Sequence, residues 1–389
     1  MPRENLFTLA ATRLARIPFA LFADKSFRAP EKVLILQTCC LSQVMLATPL
    51  LSSLSDAFPD ARFDWAVSDW ARPAIVSNPR LTEVISTGDG DLQKRSWRYI
   101  GDLVKRLRSE QYDTCFVVSR SGLLSYVAWQ ARIPQRIGLN IQGRGFAHTF
   151  AVRPPREEKH AAEIYLSLAE AVGVEDEIFK GAGEEFYPPD RDRLAVTQRL
   201  VEEMDWLGDV PLVIMHPGGG TNPVLSDPNK RWPVERFALL GNHMVRHHGA
   251  RIVLVGADEE RPLAQAIAGL MATKLSNLCG EVSLGEVGAL CEVADLYVGN
   301  DAGPTHIAAA AGCSTLAIFG PSNPAYSRPY SSKADVMALW RELSEEEKER
   351  PFTWDFGVTV EQAIEAVDRL LERPNDRSEA LAILTGRER

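Results

Sequence analysis

Short runs of apolar residues alternate along the chain with longer segments that have the periodicity of amphipathic helices. In the first half these runs lie at residues 33–36, 63–67, 83–86, 114–118 and 136–139. The second half repeats the pattern at residues 212–215, 251–255, 275–278, 295–299 and 314–319. Apolar runs of this length, bounded by polar turns and separated by helices, indicate buried strands. The pattern therefore predicts an α/β chain with two doubly wound parallel sheets.

The alternation stops near the middle of the chain and then restarts, which indicates two domains. At 389 residues, the chain is also longer than one hydrophobic core usually supports. We expect a basic arm over 1–30, a Rossmann-like domain over 31–185, a linker with a helix over 186–209, a second Rossmann-like domain over 210–350, and a final helix with a tail over 351–389. The final helix is predicted to return toward the first domain.

The composition is typical of a soluble globular protein, with 45% hydrophobic and 24% charged residues. A formal net charge of −9 argues against a nucleic-acid binder. No apolar run approaches the length of a membrane span. The six cysteines form no C-x-x-C pair, so we interpret them as reduced thiols of a cytoplasmic protein and not as a disulfide framework or a zinc site.

The N-terminal arm combines an apolar helical face with basic residues. The apolar positions are Leu6, Ala10, Leu14, Ile17 and Leu21, and the basic ones are Arg3, Arg13, Arg16, Lys25 and Arg28. Two interpretations of residues 1–28 stay open. Either this segment is a helix that lies on an anionic membrane surface, or it is an arm that packs on the domain or is disordered. The first would make the protein peripheral at the inner face of the cytoplasmic membrane.

Two glycine-rich loops follow predicted strands of the second half. Residues 216–221 read His-Pro-Gly-Gly-Gly-Thr, and residues 299–306 read Gly-Asn-Asp-Ala-Gly-Pro-Thr-His. Two such loops in one parallel sheet meet at the carboxyl edge of the sheet. Backbone N–H groups at the start of a helix attract a phosphate, although a single glycine turn has an equally good steric explanation. Together the loops predict a site for a nucleotide diphosphate.

Charged residues accompany these loops in a defined order. Lys230 stands just ahead of Pro233, and proline suits the first turn of a helix. Asp258 and Glu259 follow the apolar run at residues 251–255. The order of a glycine loop, a lysine, a strand ending in carboxylates and a second glycine loop is more specific than any one of its parts.

This ordered set resembles glycosyltransferase family nine, the ADP-heptose:lipopolysaccharide heptosyltransferases. In the first half the resemblance continues at residues 46–51, 57–61 and 160–166, so that it covers about residues 31–325. It implies a GT-B fold, in which two Rossmann-like domains face a cleft. It also implies a nucleotide-diphosphate-sugar donor, ADP-heptose in this family, with inversion at the sugar carbon, no metal and no other cofactor.

Carried over by position, the resemblance places the donor in the second domain. Lys230 would neutralise the charge that develops on the diphosphate as the glycosidic bond breaks, and Asp301 would join it as a catalytic residue. The donor-binding set implied is Gly219, Gly220, Thr221, Lys230, Asp258, Glu259, Val282, Asp301, Ala302, Gly303 and His306. The family often has serine or threonine at the position of Ala302, so one hydroxyl contact is missing here.

Simpler structural roles compete for several of these residues. We interpret His216 as ordering its loop and Trp232 as packing at a helix entry, whereas Asp301 could both cap a helix and contact the ligand. His306 either caps or packs at a helix start or contacts the donor, and the motif favours the donor. The cluster of His243, His247 and His248 is interpreted as a solvated helix end and not as a metal site.

The first βα loop departs from the family pattern. Gln37 stands where the family has a basic residue, and Gln43 stands where it has the aspartate expected to act as general base on the acceptor hydroxyl. A carboxamide cannot accept a proton at neutral pH, and general-base help contributes typically ~10²–10⁴-fold. Asp69 or Glu163 could replace the base, and an acidic acceptor would need none. The acceptor side would otherwise involve Ser42, Thr48 and Arg120.

Three functions follow from these patterns. The first is an inverting, metal-independent glycosyltransferase that moves a sugar, heptose before others, from an ADP-linked donor to a cell-envelope glycan or lipid-linked acceptor. The second is a catalytically impaired relative that binds the donor or a glycan, which Gln43 favours. The third is a GT-B enzyme with another nucleotide sugar, because the base pocket is not legible in the sequence. No nucleic acid is expected as a partner.

Overall fold

The chain folds into two compact units, with the boundary between Ala182 and Gly183. The structure is a computed structural model that describes residues 26–154, 159–273 and 275–372. Nearly all of the predicted N-terminal arm lies outside the described residues. Among the residues that are described, no helix has the length and the apolar character that crossing a bilayer requires.

The first unit is built on a six-stranded parallel sheet with the strand order β3-β2-β1-β4-β5-β6. Its strands are β1 Lys32–Leu36, β2 Arg62–Val67, β3 Glu83–Ser86, β4 Thr114–Val117, β5 Gln135–Leu139 and β6 Phe150–Val152. Its helices are α1 Leu41–Met45, α2 Thr48–Ala57, α3 Trp97–Ser109, α4 Gly122–Gln130, α5 Ala161–Glu170 and α6 Asp176–Phe179. Residues 33–36 and 63–67 are all buried, which explains their nearly continuous apolar character.

The second unit contains another six-stranded parallel sheet, in the order β12-β11-β10-β7-β8-β9. Its strands are β7 Leu212–His216, β8 Arg251–Leu254, β9 Ser276–Asn277, β10 Leu296–Asn300, β11 Thr315–Ile318 and β12 Val336–Leu339. Its helices are α7 Asp190–Gln198, α8 Val234–His248, α9 Arg261–Leu270, α10 Leu284–Val293, α11 Gly303–Ala310, α12 Pro324–Ser327, α13 Glu345–Lys348 and α14 Val360–Leu371. Residues of α8, α9 and α14 form one core, and residues of α7, α10 and α11 form the other.

Counted from the first strand of each unit, both sheets have the order 3-2-1-4-5-6. This is the Rossmann order, and it places a switch point between β1 and β4 in one sheet and between β7 and β10 in the other. The predicted fold class is therefore confirmed. The two strands that the sequence did not predict, β6 and β12, are half-buried edge strands, so they lack the burial that produces a strong apolar run.

The segment predicted as a linker, 186–209, is part of the second unit. Val196, Leu200 and Trp206 from this segment are buried in the core that contains α10 and α11. The Trp206 Nε1 also donates to the carbonyl of Val210 at 2.9 Å. The segment is therefore a structural layer of the second unit.

The final helix, α14, also packs within the second unit. Its buried residues Ala363, Ala366, Val367 and Leu370 follow helical spacing and lie in the same core as residues of α8. A helix with one apolar stripe of this kind has one buried face, and here the second unit covers it. The return of this helix toward the first domain stays a prediction.

Candidate active site

The two glycine-rich loops leave neighbouring strands of the second sheet. β7 and β10 are paired in parallel, so their last residues, His216 and Asn300, lie at the same edge. A Cβ atom on Gly219 would stand only 2.6 Å from the Cβ of Ala302. Gly219 also has a φ of 98°, a conformation that favours glycine. The structure therefore brings the two loops into close contact beside the switch point.

Asn300, which the sequence predictions did not select, connects the two loops. Its side chain is fully buried, and its Nδ2 donates to the carbonyls of Pro217 and Gly218, both at 2.9 Å. Its Oδ1 accepts from the backbone N–H of Trp232 at 3.0 Å. A buried carboxamide with three hydrogen bonds to backbone groups fixes the loop after β7 against the end of β10.

Lys230 and Asp301, the two predicted catalytic residues of this unit, form an ion pair. The Lys230 Nζ lies 2.5 Å from the Asp301 Oδ2, and the Ser322 Oγ donates to the same oxygen at 2.6 Å. The Asp301 side chain is 5% exposed and the Lys230 side chain is 22% exposed. Asp301 does not cap α11, which starts at Gly303 with Ala302 as its N-cap. Its carboxylate holds the lysine in place instead.

The glycine-rich loop after β7 is a tight hairpin whose polar groups form hydrogen bonds with one another. The Arg231 guanidinium donates to the Gly219 carbonyl at 2.7 Å and to the Thr221 hydroxyl at 3.2 Å. The Gly220 carbonyl accepts from the N–H of Asp227 at 2.6 Å. A Cβ on Gly220 would stand 2.3 Å from the carbonyl oxygen of Asp227, so only glycine fits there. Hydrogen bonds within the loop therefore hold its three predicted donor-binding residues, Gly219, Gly220 and Thr221, in place.

A partly buried carboxylate, that of Glu260, fastens this loop from the side of β8. It accepts from the N–H of Gly219 at 2.6 Å, from the N–H of Ala257 at 2.9 Å, and lies 3.1 Å from the Nε2 of His216. A Cβ on Gly218 would stand 2.0 Å from the carboxyl carbon. Burial raises the pKa of Glu260, but His216 and the two N–H groups lower it by more than burial raises it. The resulting pKa is about 2. The loop is therefore held by an ionised carboxylate.

The structure places the other predicted donor carboxylates differently. Asp258 and Glu259 are exposed, and Asp258 pairs with Arg261 at 2.9 Å. Val282 is partly buried against the core. Glu260, which follows Glu259 in the chain, is the carboxylate that reaches the loop after β7. The sequence offers three acidic residues in a row, and only the turn at Asp258–Glu260 decides which of them faces β7.

His306, in the first turn of α11, is buried against a second carboxylate. Its Nδ1 lies 2.8 Å from the Oε1 of Glu184, whose N–H donates to the Tyr330 carbonyl at 2.8 Å. Burial lowers the pKa of His306, but the carboxylate of Glu184 raises it, and the net direction is upward. The charge of Asp301 also raises this pKa, and that of Lys230 lowers it. Sequence reasoning missed Glu184 because it lies 122 residues from His306.

In the first unit, Gln43 lies in α1 and has a hydrogen-bond partner on α5. The Tyr165 hydroxyl, on α5, donates a hydrogen bond to the Gln43 Oε1. Burial raises the pKa of Tyr165 to about 12, although the positive charge of Arg120 lowers it. Gln43, at the predicted base position, therefore has a buried neutral tyrosine as its partner, and the exposed Arg120, a predicted acceptor-side residue, acts on that tyrosine through its charge.

The remaining acceptor-side candidates have structural roles or are exposed. The Thr48 hydroxyl is fully buried and donates to a carbonyl of the preceding turn at 2.7 Å. Ser42 is half-buried in α1. Asp69 and Glu163, the alternative bases, are both exposed. Of these four, none occupies the position at Gln43 that the resemblance assigns to the base.

The loop after β1 also corrects the interpretation of the cysteines. Cys39 and Cys40, adjacent in the chain, are joined by a disulfide. The other four cysteines are free and buried, as expected for structural thiols. The prediction of six reduced thiols is therefore wrong at this pair.

Solved structures share the fold of this chain. The glycosyl transferase family 9 structure from Veillonella parvula DSM 2008 matches with a TM-score of 0.74 and 23% identity, covering 90% of this chain and 99% of that one. The structure of Escherichia coli ADP-heptose lps heptosyltransferase II matches with a TM-score of 0.68 and 22% identity, covering 88% and 98%. These likenesses identify the GT-B fold of glycosyltransferases.

The model of the family described as glycosyltransferase family 9 (heptosyltransferase) matches residues 100–353, more than half of the chain. The chain belongs to this family and is a glycosyltransferase, which confirms the resemblance. Lipopolysaccharide heptosyltransferase 2 of Escherichia coli (strain K12) is 27% identical over 319 residues, covering 79% of this chain and 88% of the relative. Lipopolysaccharide heptosyltransferase 3 of Escherichia coli is 25% identical over 347 residues, covering 84% and 96%.

Proposed function

We propose that this glycosyltransferase moves heptose from ADP-heptose to a glycan or lipid-linked acceptor of the cell envelope. The ion pair of Lys230 with Asp301, beside the two glycine loops, carries the proposal because it offers a fixed cation where a diphosphate leaving group needs one. The names of the relatives support the choice of sugar. Two of them are lipopolysaccharide heptosyltransferases, and one solved neighbour is an ADP-heptose lps heptosyltransferase.

In the proposed reaction, the bond between the anomeric carbon and the diphosphate oxygen breaks, and its electron pair stays on the diphosphate. Lys230 stabilises this charge, while Asp301 and Ser322 keep the ammonium group in place before the donor binds. The start of α11 adds backbone N–H groups and the positive end of the helix dipole at the same edge. Because the protein supplies this cation, we propose that the donor site works without a metal.

The acceptor oxygen attacks the anomeric carbon from the face opposite the diphosphate, which inverts the configuration of that carbon. A hydroxyl acceptor must give up its proton in this step, whereas an ionised carboxylate or phosphate oxygen has none to lose. Gln43 cannot take this proton, because it is a carboxamide that already accepts from Tyr165. Glu163 is two residues from Tyr165 on α5, and residues so spaced do not share a helix face. We infer that the acceptor carries an acidic attacking group that is ionised before it reacts, so that neither Glu163 nor the exposed Asp69 is needed as a base. The charge of Arg120 would attract such a group.

A second function is favoured by the contact between Gln43 and Tyr165. This hydrogen bond fits a carboxamide oxygen into the place where the family has its base. A relative that binds the donor or a glycan without transferring sugar would keep the donor loops and need no base. The ion pair at Lys230 would then bind the diphosphate without catalysis.

Binding and turnover together test the proposal. A thermal-shift series with ADP, GDP, UDP and CDP should show the largest rise in melting temperature with ADP, because ligand binding stabilises the folded state in proportion to ln(1 + [L]/Kd). ADP-heptose incubated with a panel of envelope glycans and acidic acceptors should then release ADP. Binding of ADP-heptose without release of ADP would favour the second function, and preference for another base would replace ADP-heptose as the donor.

We also propose that residues 1–28 contact an anionic membrane surface, which would bring the enzyme to a lipid-linked acceptor. Five basic residues on an amphipathic segment support this proposal. The full chain should sediment with vesicles that contain anionic phosphatidylglycerol and not with neutral phosphatidylcholine vesicles. A chain that starts at residue 29 should lose this binding, and equal sedimentation of both chains would refute the proposal.

A further inference from the structure

A cluster of two histidines and one carboxylate joins α8 to α14, apart from the donor loops. The Nε2 atoms of His243 and His248 each lie 2.7 Å from the same oxygen, the Oδ1 of Asp368. The two histidine side chains are 16% and 19% exposed, and that of Asp368 is 36% exposed. These residues were interpreted as a solvated helix end, but the structure half-buries two of the histidines and adds a carboxylate from 120 residues away.

Rigid elements bring the three side chains together. α8 and α14 run side by side in the same direction, because Arg236 near the start of α8 donates to the carbonyl of Val358 just before α14, at 2.7 Å. The later part of α8 then meets Asp368 in the later part of α14. The two helices share a hydrophobic core along their length. The cluster therefore does not depend on a loop for its geometry.

We propose that His243, His248 and Asp368 bind a divalent transition metal ion of the zinc class through two imidazole nitrogens and one carboxylate oxygen. One ligand atom from each residue lies within 4.8 Å of the others, so all three can face one ion. In a tetrahedral zinc site, ligand atoms about 2.1 Å from the ion stand roughly 3.4 Å apart. Each imidazole needs to withdraw from the carboxylate oxygen by less than ~1 Å to admit an ion.

The chemistry of the three ligands selects the metal. Imidazole nitrogen suits zinc, nickel, cobalt and copper, whereas magnesium and calcium prefer sites made of oxygen alone. Three protein ligands leave a fourth position for water. His247 does not fill that position, because its ring stacks on the ring of His243 with centroids 4.4 Å apart and planes at 27°. The ion would cross-link α14 to α8 within the second unit.

The test uses the full-length chain without a histidine tag, stripped with EDTA and titrated with Zn²⁺. We expect one equivalent to bind in calorimetry and the melting temperature to rise by about 5 °C at a free Zn²⁺ concentration a hundredfold above Kd. Co²⁺ in place of Zn²⁺ should give the visible absorption of a tetrahedral ion. Absence of saturable binding by the wild-type chain would overturn the proposal.

Matched variants identify the ligands. His243→Asn, His248→Asn and Asp368→Asn should each lose the thermal shift with Zn²⁺, whereas His247→Asn should retain it. Asp368→His, which restores a metal ligand at that position, should also retain binding, and circular dichroism checks that each variant is folded. Equal loss in His247→Asn, or full binding in Asp368→Asn, would show that Zn²⁺ binds elsewhere and would refute the assignment.

Discussion

The loops that follow β1 and β7 occupy the same position in two sheets of the same strand order, yet their chemistry differs. Residues 37–43 contain no carboxylate, lysine, arginine or histidine. Residues 217–231 contain Lys230, which is held by Asp301, and they are fastened by Glu260. Both loops start at the carboxyl end of a central strand beside a switch point, where ligands of such sheets bind.

This difference shows that topology determines where a site can form and that ionisable residues determine which half of a reaction it supports. The loop after β7 holds the Lys230 ammonium group against Asp301, where we propose that the leaving diphosphate binds. The loop after β1 has Gln43 hydrogen-bonded to Tyr165 at the position where the resemblance implies a base. Under the proposed function, the loop after β7 can therefore stabilise the charge of the leaving group, whereas the loop after β1 offers no group that can take a proton.

The largest effect is expected when the first loop receives the ionisable group that it lacks. Gln43→Asp should raise the rate of sugar transfer ~10²–10⁴-fold, because a carboxylate at this position can accept the proton of a hydroxyl acceptor. Release of ADP from ADP-heptose with one fixed hydroxyl acceptor measures this rate. Gln43→Asn keeps a carboxamide and serves as the control. Equal rates for the two variants would show that the acceptor is not deprotonated at this position.

In the second loop, Lys230→Met should lower kcat/KM by ~10²–10³-fold, as the loss of a preorganised charge at a leaving group commonly does. The same ADP-release assay gives this value. Lys348→Met removes an exposed lysine of α13 and should leave kcat/KM unchanged. A rate near that of the wild type in Lys230→Met would mean that another group stabilises the diphosphate.

Glu260→Gln tests how strongly the second loop depends on its carboxylate. The folded state lowers the pKa of Glu260 to about 2. The ordinary value is about 4.3, so the ionised group adds about 3 kcal/mol to the free energy of unfolding at neutral pH. A lowered folded pKa contributes this stability above the unfolded pKa, and the stability is lost as the pH falls toward the folded pKa. The wild-type advantage over the variant should therefore be large at pH 7 and shrink from about pH 5 toward pH 2.

Urea unfolding of both chains between pH 3 and 7 measures this dependence. Glu259→Gln, a change at the exposed neighbour, should leave the free energy of unfolding within about 0.5 kcal/mol of the wild type. A difference between wild type and Glu260→Gln that stays constant over this range would contradict stabilisation of the loop by an ionised Glu260 carboxylate. The Michaelis constant for ADP-heptose should rise in Glu260→Gln, because the loop that it positions would loosen.

The smallest effect is expected for the hydrogen bond in the first unit. Tyr165→Phe removes the donor to Gln43 and should lower the free energy of unfolding by about 1 kcal/mol, the usual net value of such a bond. Tyr126→Phe removes a hydroxyl from α4 and provides the control. Urea unfolding at neutral pH compares the two. A loss no larger than in Tyr126→Phe would show that the contact does not order the first loop.

Much of the fold could be predicted from the sequence because its strands are buried on both faces. Burial of that kind requires continuous apolar runs, as at residues 33–36 and 212–215, and these are visible without knowledge of any partner. The edge strand β6, only half-buried, left no such run. The positions of Lys230, before a helix, and of Asp301, after a strand, could also be recognised, because both are marked by residues close to them in the chain.

The partners of these residues could not be predicted in this way. Glu260 could not be separated from its acidic neighbours, since the choice depends on a single turn after β8. Glu184 lies 122 residues from His306, and Asp368 lies 125 residues from His243. Nothing in the local pattern marks residues so far apart as neighbours.

The sequence by itself therefore determined the alternation of strands and helices, the two glycine loops and the family to which they belong. All of these depend on residues close together in the chain, where periodicity and turn chemistry act. Tertiary structure alone decided which carboxylate fastens the donor loop, which one holds His306 and which one meets the histidines of α8. Those contacts form because parallel strand order and helix packing bring distant segments to one edge or one face.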